Sequence, residues 1–375
     1  MLKQISQVFR PRSEIEQHIA VFGQTGSGKT TLLSTFYGWH QEPSFMKNRG
    51  YSLISTNTSQ GNRLLSNFLK MKDNVFPAQT TRDYQSYKFD VKIRGLDGKA
   101  ASIVWHDYPG EWWQETKEGL EGNEKIETFR SLLQSDIAFI LCDGQELKNK
   151  GNRYFRELFK QFRTEIELQK EQILSKDKSL KLFPRTWVIC LSKSDIFPDK
   201  DVYWFRDQIL KSIDDELEEL NLQFKDFVST DSPISIGNDF LLLSSVAIDE
   251  TGKITNPEHH VGIDLIPPIS LILPVQRALN WAKRKTEGKV TIHRLLELCR
   301  NLSTNWLKYI PIIGNIFMLV DDEVKSLTNK LKEVEEKAKK NGDLAQAIIA
   351  SFYSKLQEEN NQSIYLSQKQ DYDQP

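Results

Sequence analysis

Residues 23–30 read GQTGSGKT, matching G-x-x-x-x-G-K-[ST]. No other stretch constrains the fold as strongly. A continuously apolar run, Ile19–Phe22, precedes it, as expected of a strand buried on both faces. A helix predicted from about Lys29 to Trp39 follows it. Each residue type has a physical job. Gly23, Gly26 and Gly28 let the chain curl until its amides point inward at a chain of phosphates. The amides from Gly23 through Ser27, and those of Lys29, Thr30 and Thr31 at the positive end of the helix, can all face that anion. Lys29 reaches the β and γ phosphates, and the Thr30 hydroxyl is a ligand for Mg²⁺.

The order of elements gives the fold class. Tyr87, Phe89, Val91 and Ile93 alternate with polar residues, Asp97-Gly98 marks a hairpin turn, and the chain returns through 101–107. These two strands must pair antiparallel. Strands predicted at Ile137–Leu141, Trp187–Leu191 and Phe240–Leu243 then alternate with helices, one marked by Phe155, Leu158, Phe159, Phe162 and Ile166 and one over 201–222. The acidic stretch in the second reads as its solvated face. Pro274 is placed in the first turn of a last helix. The result is an α/β domain over 15–285, a P-loop NTPase with a mostly parallel six-stranded sheet and helices on both faces. Between 40 and 83 only one short helix is expected, around Leu64–Leu69. Residues 286–360 read as a helical domain ending in a two-helix hairpin broken at Asn341-Gly342, and 361–375 as a mobile polar tail.

Composition narrows the function classes. Lys plus Arg number 50 and Asp plus Glu 51, which gives no electrostatic case for nucleic acid as a partner. The three cysteines lack zinc or redox spacing, and an odd number argues against a disulfide framework. No run reaches the ~18–20 apolar residues of a membrane-spanning helix, and no signal peptide is evident, so a cytoplasmic location is expected. The segment YIPIIGNIFMLV, 309–320, is too short to span a bilayer. Its expected role is packing or self-association; a protein effector is the second reading and contact with a membrane surface the third. The charged hairpin beyond it has no basic face, which argues against the membrane.

The base is chosen by later motifs. DYPGEWW, 107–113, puts Asp107 at a strand end, where its carboxylate can hold Mg²⁺ through a water, and Gly110 where its N–H can meet the γ-phosphate. Ser192-Lys193-Ser194-Asp195 ends another strand. The Asp195 carboxylate can accept the guanine N1–H and exocyclic amine, a pair adenine cannot donate, and the Lys193 stem can lie over the base. In Ser244-Ser245-Val246-Ala247, a backbone N–H of Ser245 or Val246 can meet the guanine O6. Asp143, ending an apolar strand, leaves a second reading open, an ATPase with that carboxylate near the metal.

Together these motifs resemble the translation-factor and Ras-like class of GTPases over 15–285. DYPGEW also resembles bacterial P-loop families, one stress-inducible and one a "double-GTPase" group linked to conflict systems. The resemblance implies a GTP/GDP switch with Mg²⁺ as cofactor and GTP as substrate; the alternative is a GTP-gated interaction module with negligible hydrolysis. It also implies a threonine that binds the metal and the γ-phosphate, for which 76–84 offers Thr80, favoured, and Thr81. Such families start the base motif with Asn, where this chain has Ser192. Their water-orienting residue is His or Gln, where this chain has Glu111. Lys29, Thr80 and Glu111 are thus the candidate catalytic groups, and Thr30, Thr80 and Asp107 the metal ligands. Glu111 reads equally as a helix-start carboxylate. Arg82 is a candidate internal arginine finger with solvation as its default, and Trp112 and Trp113 read as core packing or as a state-dependent anchor.

Overall fold

A computed structural model of the protein describes residues 15–76, 84–108, 110, 120–174, 179–180, 183–228, 234–285, 324–358 and 362–367. Its strands are β1 (Glu16–Phe22), β2 (Tyr51–Ser55), β3 (Gln85–Ile93), β4 (Ala101–Asp107), β5 (Ile137–Asp143), β6 (Thr186–Ser192), β7 (Ser235–Leu242), β8 (Ala247–Ile248), β9 (Ile254–Asn256) and β10 (Ile364–Leu366). Its α-helices are α1 (Lys29–Trp39), α2 (Pro43–Arg49), α3 (Thr58–Lys72), α4 (Leu120–Leu132), α5 (Gly144–Lys150), α6 (Arg153–Ile173), α7 (Val202–Lys225), α8 (Ile266–Lys285), α9 (Val324–Lys340) and α10 (Leu344–Glu358).

The main sheet runs β10-β7-β6-β5-β1-β4-β3-β2. Strands β4, β1, β5, β6 and β7 are parallel, while β3 is antiparallel to β4 and β2 to β3. The mostly parallel sheet is therefore present, with eight strands where six were expected. The two additional strands are the edges. In β2 only Tyr51 and Leu53 are buried and Ile54 is exposed, so its short pattern hides among polar neighbours. β10 lies within the stretch read as a mobile tail, yet pairs antiparallel with β7 through Ile364, Tyr365 and Leu366.

The continuous apolar runs are explained by the two cores. Ile19 and Val21 of β1 enter one, with α1, α8 and α10; Ala20 and Phe22 enter the other, with α6 and α7. Strand β5 divides likewise: Phe139 and Leu141 face one side, Ile140 and Cys142 the other. All five apolar residues predicted to mark α6 are buried on the second side, and Asp214, Asp215, Glu218 and Glu219 of α7 are exposed as expected.

Pro274 does not start a helix; it lies inside α8. Its missing N–H removes one helical bond, but Ile269, Ile272, Leu273 and Val275 around it are fully buried, so packing holds the turn. The α9–α10 hairpin breaks after Lys340, as predicted, and shares the first core through Leu331, Ala338, Ile348 and Phe352. Phe352 packs edge-on against Tyr51, and Asp264 bridges Lys355 of α10 (2.6 Å) and Arg49 of α2 (2.5 Å). Among the described residues no helix is long and apolar enough to cross a membrane, and no cluster of three or more His, Cys, Asp or Glu could hold a metal.

His40, at the end of α1, is fully buried. Its Nδ1–H donates to Phe36 O (2.5 Å) and its Nε2 faces the Tyr51 hydroxyl (3.2 Å). Burial pushes its pKa down to about 3. Below the ordinary value near 6.5 the unfolded chain takes up a proton that the folded chain refuses. Stability is thus held above that value and lost as pH falls toward 3, at about 1.4 kcal/mol per pH unit from this group. Unfolding midpoints between pH 7 and 4 should fall less steeply for His40→Asn than for the parent protein; equal slopes would exclude this source.

Candidate functional site

The carboxyl ends of the parallel strands meet along one sheet edge, the place where open α/β folds bind ligands. Phe22 of β1 ends there, and the chain turns through 23–28 into α1. Gly26 and Gly28 have φ of 84° and 87°, in the left-handed region that costs glycine nothing. Lys29, the first residue of α1, is buried, and its Nζ donates to Gly23 O (2.6 Å) and Gln24 O (3.1 Å) of the loop it follows. Its ammonium also lies 5.7 Å from the centre of the Tyr108 ring. Burial lowers its pKa to about 8, against the opposing pull of the Asp107 charge. Thr30 and Thr31 are half-buried in the first turn. The Ser27 hydroxyl instead turns beneath the loop: a Cβ added at Gly23 would lie 2.6 Å from it. Ser27 can therefore offer a phosphate its backbone but not its side chain.

Asp107 ends β4, 1% exposed, opposite Gln85, where β3 enters the sheet. Gly110 is seated on the phosphate loop. A Cβ there would come within 2.6 Å of Thr25 N and 2.8 Å of Lys29 Nζ, so no side chain fits without moving the loop. Beside Asp107, His106 bonds Tyr84 OH through Nδ1 (2.6 Å) and His18 through Nε2 (2.9 Å). The residue that resumes the described chain after 77–83 is thus tied to β4 and β1.

At the other end of the edge, Lys193 adopts φ 54° and its Nζ meets Asp143 Oδ2 at 2.7 Å. Asp143 also accepts from Gln145 N (2.8 Å), capping α5. Its carboxylate is thereby committed to Lys193 and to a helix cap, which favours the structural role over the metal-binding one. Ser192 Oγ donates to Cys142 O (3.1 Å) and so ties β6 to β5. Asp195 Oδ1 lies 2.7 Å from Ser244 Oγ, whose single proton also has Val246 O within reach at 2.8 Å, and Oδ2 accepts from Ile248 N (2.9 Å). Each carboxylate oxygen keeps a further lone pair for another donor. The β8–β9 hairpin, which supplies Ile248, packs on α3 through Val246, Ile254, Phe68 and Met71.

The structure thus brings Lys29, Asp107 and Gly110 together at one end of the edge, and Lys193, Asp195, Ser245 and Val246 at the other. Thr80, Thr81, Arg82, Glu111, Trp112, Trp113 and the 309–320 segment lie outside the described residues. Sequence reasoning missed Tyr108 beside the lysine, the pairing of Asp143 with Lys193, and the Ile248 amide on Asp195. Tyr108 stood within a motif already in hand. The other two are contacts between strand ends about fifty residues apart, with no local signature.

A family model described as Double-GTPase 2 matches residues 17–235. No curated protein matches the chain. Among solved structures, the chain is similar to the signal recognition particle receptor SRb-GTP/SRX complex from Chaetomium thermophilum, with 14% identity, 62% of this chain and 93% of that chain covered, and a TM-score of 0.36. It is also similar to a putative nucleolar GTP-binding protein 1 from Plasmodium falciparum (12% identity, 74% and 96% covered, TM-score 0.32). A third is translation elongation factor SelB from Methanococcus maripaludis in complex with the GTP analogue GPPNHP (13% identity, 71% and 35% covered, TM-score 0.29).

Proposed function

The chain belongs to the Double-GTPase 2 family, and from that premise we propose that it is a GTP-binding switch that hydrolyses GTP slowly with Mg²⁺. The observation that carries the reading is the Asp195 carboxylate. Two donors fix its plane, Ser244 Oγ and Ile248 N, on the same sheet edge as the Lys29 phosphate loop. An oriented carboxylate there suits a purine that donates two protons from one edge.

In this reading the amides from Gly23 to Thr31 and the Lys29 ammonium bind the β and γ phosphates. To do so, Lys29 exchanges its two loop carbonyls for phosphate oxygens, a stronger charge-assisted pairing. The Thr30 hydroxyl and the buried Asp107 carboxylate, hard oxygens of the kind Mg²⁺ requires, are the groups that would hold the metal. Thr80 is proposed as the third ligand. The metal, when bound, neutralises charge on the β and γ oxygens. Gly110 N–H is proposed to follow the γ-phosphate, and its turn, packed against Thr25 and Lys29, is proposed to shift when that phosphate enters or leaves. Glu111 is proposed to orient the attacking water; a carboxylate near a triphosphate is repelled, which is why hydrolysis is expected to be slow.

The remaining proposals concern the ends of the chain. Residues 15–285 are read as the nucleotide-binding domain and 286–360 as the output region, acting through a protein effector or self-association. Its α9–α10 hairpin rests on β2 and α8, on the side of the sheet that α1 covers. A cytoplasmic location belongs to the same reading.

The test is Asp195→Asn. An amide can donate to the 2-oxo group of xanthine and no longer accepts two protons. GTP affinity should fall by roughly ten- to a hundredfold, the loss of a hydrogen bond to a charged group, while affinity for xanthosine triphosphate rises. A variant that keeps its GTP affinity and gains none for xanthosine triphosphate would refute the base contact.

A further inference from the structure

The loop 244–248 wraps the Asp195 carboxylate, holding it from both ends through Ser244 Oγ and Ile248 N. Between those anchors, the N–H groups of Ser245 and Val246 donate to no acceptor among the described residues. Two adjacent open donors beside a carboxylate form a three-point edge, one acceptor group and two donors. Something must hold such donors in place, because a loop amide without a partner otherwise turns to find one.

Ser244 Oγ reaches Val246 O (2.8 Å) from within the loop, and His260 holds the loop from behind. Its Nδ1 lies 2.7 Å from Ser245 O. A carbonyl can only accept, so Nδ1 carries the proton. The ring is clamped edge-on by Trp39, centroids 4.6 Å apart, with Phe68 at 6.1 Å. Its Nε2 is buried and has no partner among the described residues, so nothing competes for its orientation. The Ser245–Val246 peptide is trans, and its C=O and N–H point in opposite directions. Gripping the carbonyl therefore aims the Val246 N–H away from His260. No phosphate-site residue takes part.

We propose that His260 is a positioning residue for purine recognition: by holding the Ser245 carbonyl it aims the Val246 amide at the 6-oxo oxygen of guanine. This rests on the guanine reading above and adds a specificity element outside the motifs. The division of labour is then explicit. Asp195 reads the two protons of the base, and the His260-held amide reads its carbonyl.

Two nucleotide pairs separate these roles. Inosine triphosphate keeps the 6-oxo group and N1–H but lacks the 2-amine, so the GTP-to-ITP ratio reads Asp195. 6-Thioguanosine triphosphate keeps both protons but replaces the oxygen by sulfur, a weaker acceptor, so the GTP-to-6-thio-GTP ratio reads the amide. Dissociation constants for the full chain should show His260→Phe losing about three- to tenfold in GTP affinity, the worth of one ordinary hydrogen bond. Its 6-thio-GTP affinity should change little and its GTP-to-ITP ratio not at all. His260→Asn, whose amide N–H falls near the place of Nδ1, should restore the parent ratios. If His260→Phe fails to fold, His260→Gln, whose amide reaches beyond that place, should show the same narrowing. An unchanged GTP-to-6-thio-GTP ratio in the Phe or Gln variant, or a failure of Asn to restore it, overturns the proposal. A parent protein that does not prefer GTP over ATP overturns the guanine reading itself, and is recognised before any variant is made.

Discussion

Arg277→Ala should destabilise the protein by about 3–5 kcal/mol, the cost of leaving one member of a buried ion pair alone. Asp239 on β7 is wholly buried and Arg277 on α8 nearly so. The guanidinium contacts both carboxylate oxygens and donates through Nη1 to Ser367 O (2.8 Å), while Ser367 N donates to Asp239 Oδ1 (3.2 Å). This cluster fastens the chain to the sheet at Ser367, one residue past β10. Burial pushes the Asp239 carboxyl up against the pull of Arg277; removing the arginine leaves the upward push opposed by the Ser367 N–H alone. Denaturant unfolding measures the loss, and hydrogen exchange at Tyr365 should accelerate in the same variant. The double variant Asp239→Leu with Arg277→Met should recover most of the stability, because an apolar pair carries no desolvation cost. If the single variant is as stable as the parent, the cluster does not hold the strand.

Lys29→Ala should lower GTP affinity by about a hundred- to a thousandfold while leaving the fold intact. In the proposed reading the ammonium would bond charged oxygens on two phosphates, each worth about 1.5–3 kcal/mol, less what it gives up in leaving its two loop carbonyls. In the structure the same ammonium donates to two carbonyls of its own loop and lies over the Tyr108 ring. It is partly desolvated already, as its lowered pKa of about 8 records, so folding should tolerate its removal. Titration with a fluorescent GTP analogue, beside a thermal melt of the same preparation, separates the two effects. Retained affinity would contradict the phosphate role of the loop; lost affinity with a collapsed melt would show a structural role instead.

How much of this was legible in the sequence follows from where the information lies. The central strands were readable because burial on both faces makes them uniformly apolar: β1 and β5 alternate between two cores, and both sides demand the same residue type. The hairpin was readable from Asp97-Gly98, and α1 from the loop that starts it. The edges were not. β2 buries two side chains and β10 is three residues long, and what holds β10 is a contact from Asp239 to Arg277 to Ser367, invisible to any local window. Pro274 misled for a related reason, since a rule about helix starts gave way to packing around a helix interior. Within the candidate site the motif positions were legible because their spacing is local. The groups that contact them were not, for Ser244 and Ile248 on Asp195, Asp143 on Lys193, and His260 on Ser245 are contacts between segments distant in sequence.

This sheet edge is proposed to select guanine and to cleave its triphosphate. The most direct measurement is competition of unlabelled GTP and ATP against a fluorescent guanine nucleotide, with phosphate release followed in the same samples with and without Mg²⁺. GTP should displace the probe at a concentration at least about a hundredfold below ATP, since the site would leave buried polar groups unpaired against adenine, and phosphate should appear only with GTP and the metal. Equal displacement by ATP, or phosphate release that ignores the base, would contradict the account.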